Sequence, residues 1–210
     1  MKVKYLGHSC FLVKGEKSVC FDPFKNIGYD MEKVSADYCL TSHNHFDHFG
    51  IENVAFKSLV KMGDESKIEG LSLTSFLTYH DNAFGTLRGQ NSVYKLVIDG
   101  FSLCHLGDLG EKNFQNLAEK LGEVDVLFIP IGGKYTIDFN EAIDLINLIK
   151  PKIAIPMHFK TLKSNIDIDG IENFLNSVNF PIERVGQTFE IEKSALKNGT
   201  VIFLPNYEKF

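Results

Sequence analysis

The chain has 210 residues, with 22 Lys and Arg against 27 Asp and Glu and a formal net charge of −5. Apolar residues make up 44% and charged residues 23%, a balance that supports a sizeable core and excludes an intrinsically disordered chain. No cluster of Lys and Arg stands out, which argues against a nucleic-acid-binding face, and no apolar run reaches the roughly 18–20 residues of a membrane span.

The start of the chain, Met1 to His8, lacks the apolar stretch of a signal peptide, so a cytoplasmic location is expected. Cys10, Cys20, Cys39 and Cys104 form no CxxC pair, and each sits in an apolar stretch. They read as small buried hydrophobes in a reducing compartment. The length is that of a single domain, 1–210.

Residues 1–110 read mostly as short strands, at 2–6, 10–14, 18–22, 37–41, 71–79, 93–99 and 101–106, rich in Val, Leu, Tyr and Phe and separated by Gly, Asn or Asp. Asp99-Gly100 between two such runs predicts a hairpin. Residues 50–62 predict a short helix followed by a strand. Beyond residue 110 the apolar period changes. Phe114, Leu117, Ala118 and Leu121 form a helical stripe, as do Phe139, Ala142, Ile143, Ile146 and Ile149, and again Ile171, Phe174, Leu175 and Val178. Asp138 with Glu141, and Asp169 with Glu172, have capping-box spacing and mark two helix starts. Buried strands are expected at 124–130 and 153–157, and short strands at 182–185, 188–192 and 200–204. Helices with one apolar face each, beside many strands, fit an α/β sandwich with helix, sheet, sheet and helix layers.

The run His43-Asn44-His45-Phe46-Asp47-His48 puts three imidazoles and one carboxylate in six residues. Each buried polar group needs a partner, and four in one turn would all have to find one. One or two divalent metal ions would satisfy them together, because imidazole and carboxylate are the ligands such ions use. Asn44 and Phe46 are expected to separate the ligands and point away. His80, Asp108 and His158 each follow an apolar strand-like run, and strand ends on one sheet edge can bring such residues together. Five His and two Asp suffice for two metal ions with positions left for water and substrate.

These residues resemble the metallo-β-lactamase superfamily, whose signature is HxHxDH followed by a separate His, Asp and His. Gly7-His8-Ser9-Cys10-Phe11, Asp22-Pro23-Phe24, Arg88-Gly89-Gln90-Asn91, the run 105–110 and the run 130–133 look like its cytoplasmic branch, which includes ascorbate-phosphate lactonases. The resemblance implies a four-layer αββα sandwich. It implies His43, His45 and His80 on one metal and Asp47, His48 and His158 on the other, with Asp108 bridging. Asp47 and Asp108 are then the catalytic carboxylates, and a hydroxide between the metals the nucleophile. Zinc is the default ion, with manganese or iron as alternatives.

The expected activity is hydrolysis of a small ester, lactone or phosphorylated metabolite. An iron-dependent redox enzyme and a non-catalytic metal-binding module stand as alternatives. Arg88, Lys134 and Lys160 are candidates to bind an anionic substrate group, beside the reading of each as a solvated surface charge. Gly132-Gly133 allows either a close backbone approach to a ligand or a plain turn. His105 is expected to make a supporting or core hydrogen bond, and His8 either to be structural or to line the cleft. By analogy with the lactonases, a homo-oligomer is an open expectation.

Overall fold

The computed structural model describes residues 1–64, 71–196 and 198–210. In chain order, β1 (Lys2–Gly7), β2 (Cys10–Lys14), β3 (Ser18–Phe21) and β4 (Val34–Leu40) precede a 3-10 turn at Ile51–Asn53. β5 (Val54–Val60), β6 (Ser72–Tyr79), β7 (Gln90–Ile98) and β8 (Phe101–His105) follow. Next come α1 (Phe114–Leu121), β9 (Val126–Pro130), α2 (Phe139–Ile149), β10 (Ile153–Met157) and α3 (Glu172–Ser177). The chain closes with β11 (Ile182–Val185), β12 (Thr188–Glu190) and β13 (Val201–Pro205).

The strands form two sheets, ordered β12-β1-β2-β3-β4-β5 and β11-β13-β10-β9-β8-β7-β6. Alternation of side chains along each strand builds the layers. Phe11, Val13, Val19, Phe21, Tyr38 and Leu40 of the first sheet meet Leu96, Leu103, Phe128 and Ile155 of the second in a buried inter-sheet core. The opposite face of the second sheet carries Cys104, Leu127, Ile129 and Ala154 and is covered by Leu117, Leu121, Leu145, Ile146 and Phe174 of the three helices. The outer face of the first sheet, with Cys10, Leu12, Cys20 and Cys39, packs under Phe24, Ile27 and Met31. The expected α/β sandwich is thus present, and its fourth layer is the irregular segment between β3 and β4. Four cysteines are buried and free, one thiol pair (Cys10 and Cys20) lying 3.8 Å apart. Among the described residues no helix is long and apolar enough to cross a membrane.

Asp138 caps α2 as expected: its carboxylate accepts from the Asn140 and Glu141 amides, and Glu141 accepts from the Asp138 amide. The second expected capping box does not form. The Asp169 amide donates to the Gly132 carbonyl and its own carbonyl accepts from Lys160, so residue 169 belongs to a bridge between loops, and α3 starts at Glu172 without a side-chain cap.

Strand direction sets where the site lies. β3 and β4 are parallel, and β1, two antiparallel steps from β3, runs the same way. In the second sheet β8, β9 and β10 are parallel, and β6 shares their direction through β7. His8, Asp22, His80 and His158 each directly follow a strand of these sets, and the 43–48 turn and Asp108 lie within a few residues of one.

Candidate metal centre

All seven residues expected from the sequence converge at these strand ends. Asp108 is the centre. Its Oδ2 lies 3.2 Å from His80 Nε2, 3.2 Å from His158 Nε2 and 3.8 Å from His43 Nε2, and its Oδ1 lies 3.0 Å from His48 Nε2. Donor atoms fall into three groups, each within 4.8 Å: His43, His45 and His80; His8, Asp47, His48 and His158; and His43, His48 and Asp108. The His45 ring sits 4.5 Å from that of His43 and 5.0 Å from that of His80.

The imidazoles are anchored from behind. His43 Nδ1 pairs with Ser42 Oγ at 2.9 Å, His48 Nδ1 with Asp22 Oδ2 at 2.8 Å, and His80 Nδ1 donates to the Tyr135 carbonyl at 2.9 Å. A histidine that donates from Nδ1 offers a lone pair at Nε2, the arrangement that metal-binding imidazoles use. The Nε2 atoms of His43, His48 and His158, and Asp108 Oδ1, are buried and make no hydrogen bond among the described residues; the close approach of His48 to Asp108 lacks hydrogen-bond geometry. Orphaned buried polar atoms are rare in folded chains. Three imidazole nitrogens gathered 3.0–3.8 Å from the Asp108 carboxylate, together with its own orphaned Oδ1, form a donor set that suits divalent ions.

Asp22 is the residue that sequence reasoning passed over as part of the site. It is buried, at φ 41°, and its carboxylate also accepts from the Ser42 amide and hydroxyl, both at 2.7 Å. It therefore holds His48 directly and His43 through Ser42. Its traces in the sequence were its place at the end of β3 and the Asp22-Pro23-Phe24 run, neither of which gave it a role at the site. Asn91 is a second such residue. Its Oδ1 accepts the Asp108 amide while its Nδ2 donates to Thr78 Oγ1 and the Leu106 carbonyl. Gly107, at φ 55°, lets this loop close: a Cβ there would fall 2.3 Å from Asn91 Oδ1.

Electrostatics follow from burial and crowding. Burial alone would raise the Asp108 carboxyl, but His158, His48 and His80 around it hold it well below the usual carboxylate range. Burial opposes a charge on His48, yet Asp108, Asp22 and Asp47 raise its pKa well above the ordinary value. His43 is lowered by burial and by its neighbour His48. His8, lowered to about 4 by burial and by His158, lies with Nε2 3.3 Å from Asp47 Oδ2. It is buried behind the cleft rather than lining it. His105 donates from Nε2 to the Ser9 carbonyl, accepts the Gly107 amide and stacks on Phe21 at 4.8 Å, as a supporting core residue.

A cleft of about 550 Å³ opens over His45, Asp47, His80 and Asp108, walled by Arg88, Tyr135 and Phe46 among others. Phe46 thus faces the cleft, contrary to the expectation that it points away; the 43–48 turn sits at the surface end of the sheet, where its third and fourth residues meet open space. Of the three basic candidates, Arg88 reaches the cleft. Lys134 pairs with Asp167, and Lys160 donates to the Ile166 carbonyl. Gly132 is required by a tight packing of loops, since a Cβ would fall 2.1 Å from the His158 carbonyl.

A two-sheet sandwich with a His and Asp cluster at its carboxyl edge is the architecture of the metallo-β-lactamase fold. A beta-lactamase superfamily domain model matches residues 2–158, and the chain belongs to that superfamily. Within it, the chain is similar to a UPF0173 protein of Pyrococcus abyssi, 32% identical over 188 residues that span 77% of this chain and 84% of that one. It is similar to a UPF0173 metal-dependent hydrolase of Carboxydothermus hydrogenoformans, 31% identical over 197 residues, 77% of this chain and 85% of that one. A crystal structure from Thermotoga maritima, named for a Zn-dependent hydrolase of the metallo-beta-lactamase superfamily, superposes with a TM-score of 0.79 at 30% identity, covering 98% of this chain and 99% of that one.

Proposed function

We propose that the chain is a dinuclear metal-dependent hydrolase of a small ester, lactone or phosphorylated metabolite. One observation carries this reading: Asp108 is ringed by four imidazole Nε2 atoms, three of them buried without hydrogen-bond partners. His43, His45 and His80 would hold one divalent ion, and Asp47, His48 and His158 the other, with Asp108 shared between them. Zinc is the ion this His-rich set favours, with manganese or iron as alternatives. The names of the relatives from Carboxydothermus hydrogenoformans and Thermotoga maritima support hydrolysis.

Bound ions supply a polarised substrate oxygen and a water acidic enough to attack near neutral pH. The chain's own residues do the rest. Ser42, Asp22 and the Tyr135 carbonyl fix the imidazole orientations before any ligand arrives, so little reorganisation remains to be done during the reaction. In hydrolysis the oxygen of water bonds to the acyl or phosphoryl centre, the bond to the leaving oxygen breaks, and the proton released by water ends on the leaving group. Asp47, at the cleft and steadied by His8, is the carboxylate suited to carry that proton. A cytoplasmic setting belongs to the same reading and is supported by the four free, buried cysteines.

The test is elemental analysis of protein purified without chelators or a metal-affinity tag, then a panel of esters, lactones, thioesters and phosphodiesters. Close to two metal equivalents with turnover on one class is the expected result. A fully loaded, folded protein that cleaves nothing would end the hydrolase reading.

A further inference from the structure

Among the described residues the cleft holds one cation without a counter-charge. Arg88 is half-buried, and no carboxylate of the described residues lies within ion-pair distance of its guanidinium. The neighbouring lysines are already engaged, Lys134 by Asp167 and Lys160 by a backbone carbonyl. The guanidinium lies over the Tyr135 ring instead, its carbon 4.9 Å from the ring centre. A cation–π contact of this kind uses none of the guanidinium N–H donors. Those donors match a group with two oxygens on one centre.

Two features hold this group in register with the candidate metal centre. Tyr135 carries Arg88 on its ring and holds His80 by its carbonyl. The loop that presents Arg88 is shaped from its base by Asp81, whose carboxylate accepts the amides of Ala83, Gly85, Leu87 and Arg88 at 2.7–3.1 Å. The backbone that carries Arg88 is thus fixed by Asp81 and the guanidinium is steadied by Tyr135, at the wall of the cleft that Asp47, His80 and Asp108 floor. A charge held this way, unneutralised and beside a reaction site, is what recognition of an anionic substrate needs; a solvated surface arginine needs neither the ring contact nor the loop.

We propose that Arg88 on Tyr135 is the subsite for an anionic oxygen group of the substrate, a carboxylate or a phosphate set apart from the bond that is cleaved. This rests on the hydrolase reading and narrows its substrate class to small anionic esters.

The test uses metal-loaded protein, with metal content measured in every variant. Calorimetric titrations with benzoate and with phenyl phosphate compare the wild type with Arg88→Met, which keeps the stem and loses the charge, and with Arg88→Lys, which keeps charge and loses the fork. Loss of affinity by about tenfold or more in Arg88→Met, with Arg88→Lys between, is expected at unchanged metal content. The anion that suffers the larger loss identifies carboxylate or phosphate. In parallel, the ratio of kcat/KM for 4-nitrophenyl hydrogen glutarate over neutral 4-nitrophenyl butyrate should fall about tenfold in Arg88→Met. Anion binding that is equal in the wild type and both variants, or absent from the wild type, overturns the subsite. Cleavage of both esters with no dependence on Arg88 also overturns it and leaves the hydrolase standing. Cleavage of neither ester nor of any lactone, thioester or phosphodiester of the panel, together with Arg88-dependent anion binding, does the reverse.

Discussion

Asp22→Asn isolates the contribution of an anchoring carboxylate. Asparagine tolerates the left-handed backbone at φ 41° as aspartate does, so the substitution leaves the chain path alone. Among the described residues Oδ1 accepts the Ser42 amide alone, and an asparagine oxygen can keep that role. The amide nitrogen then stands where Oδ2 was, facing Ser42 Oγ and His48 Nδ1. The serine hydroxyl can rotate to accept. His48 can accept only by moving its proton from Nδ1 to Nε2, which removes the lone pair that points at Asp108. Loss of such an outer partner typically weakens a metal site 10–100-fold, or about 1.4–2.7 kcal/mol. Weakening of the charge-assisted bonds to Ser42 and His48 should cost the fold about 1–3 kcal/mol. Competition titrations of metal-free protein with zinc against a chromophoric chelator read the first number, and urea unfolding reads the second. The larger loss should fall on the ion held with Asp47 and His158. Affinities within about twofold of wild type at that site, or a loss confined to the His43 group, would refute the tautomer argument.

Asp108→Ala should lose one or both metal ions and nearly all turnover, because two cations would face each other without a shared carboxylate; full metal retention by elemental analysis would show that Asp108 does not bridge. His158→Gln should lose metal, whereas His105→Gln, which breaks a bond to Ser9 and a stack on Phe21, should lower the melting temperature and keep its metal; equal metal loss in both would put the ligand set in error. Burial pushes the Cys104 thiol up to about 12 from an ordinary 9.0. A raised thiol adds stability in full below the unfolded value and loses it as pH rises toward the folded one, so between about pH 9 and 10.5 this group should remove about 2 kcal/mol. Cys104→Ala should flatten that part of the alkaline stability profile; an unchanged slope in urea unfolding would count against it.

The strands, the hairpin at Asp99-Gly100 and the three helices were legible because alternation and the 3.6-residue period report directly on which face is buried. The α3 start was missed because Asp169 serves a loop contact with Gly132 that has no local signature. The His and Asp cluster was legible because its residues are crowded in sequence or follow strands. Asp22 and Asn91 stood in runs that carry the resemblance, but their roles were not legible, since their partners lie 26 and 17 residues away. Phe46 was misjudged for a similar reason: which side of a six-residue turn meets solvent is set by the sheet edge beneath it.

The Asp81 loop has an evolutionary consequence. Four amides converge on one carboxylate at its base, so the shape of the loop is dictated by backbone and by Asp81, and little by the side chains between. Phe84 and Leu87 are 82% and 72% exposed and contribute little to the interior. The segment is therefore a cassette. Its tips can be rewritten by mutation to suit a new substrate while the clustered histidines keep their aim, which gives lineages built on this plan a route to new specificities at small cost to folding.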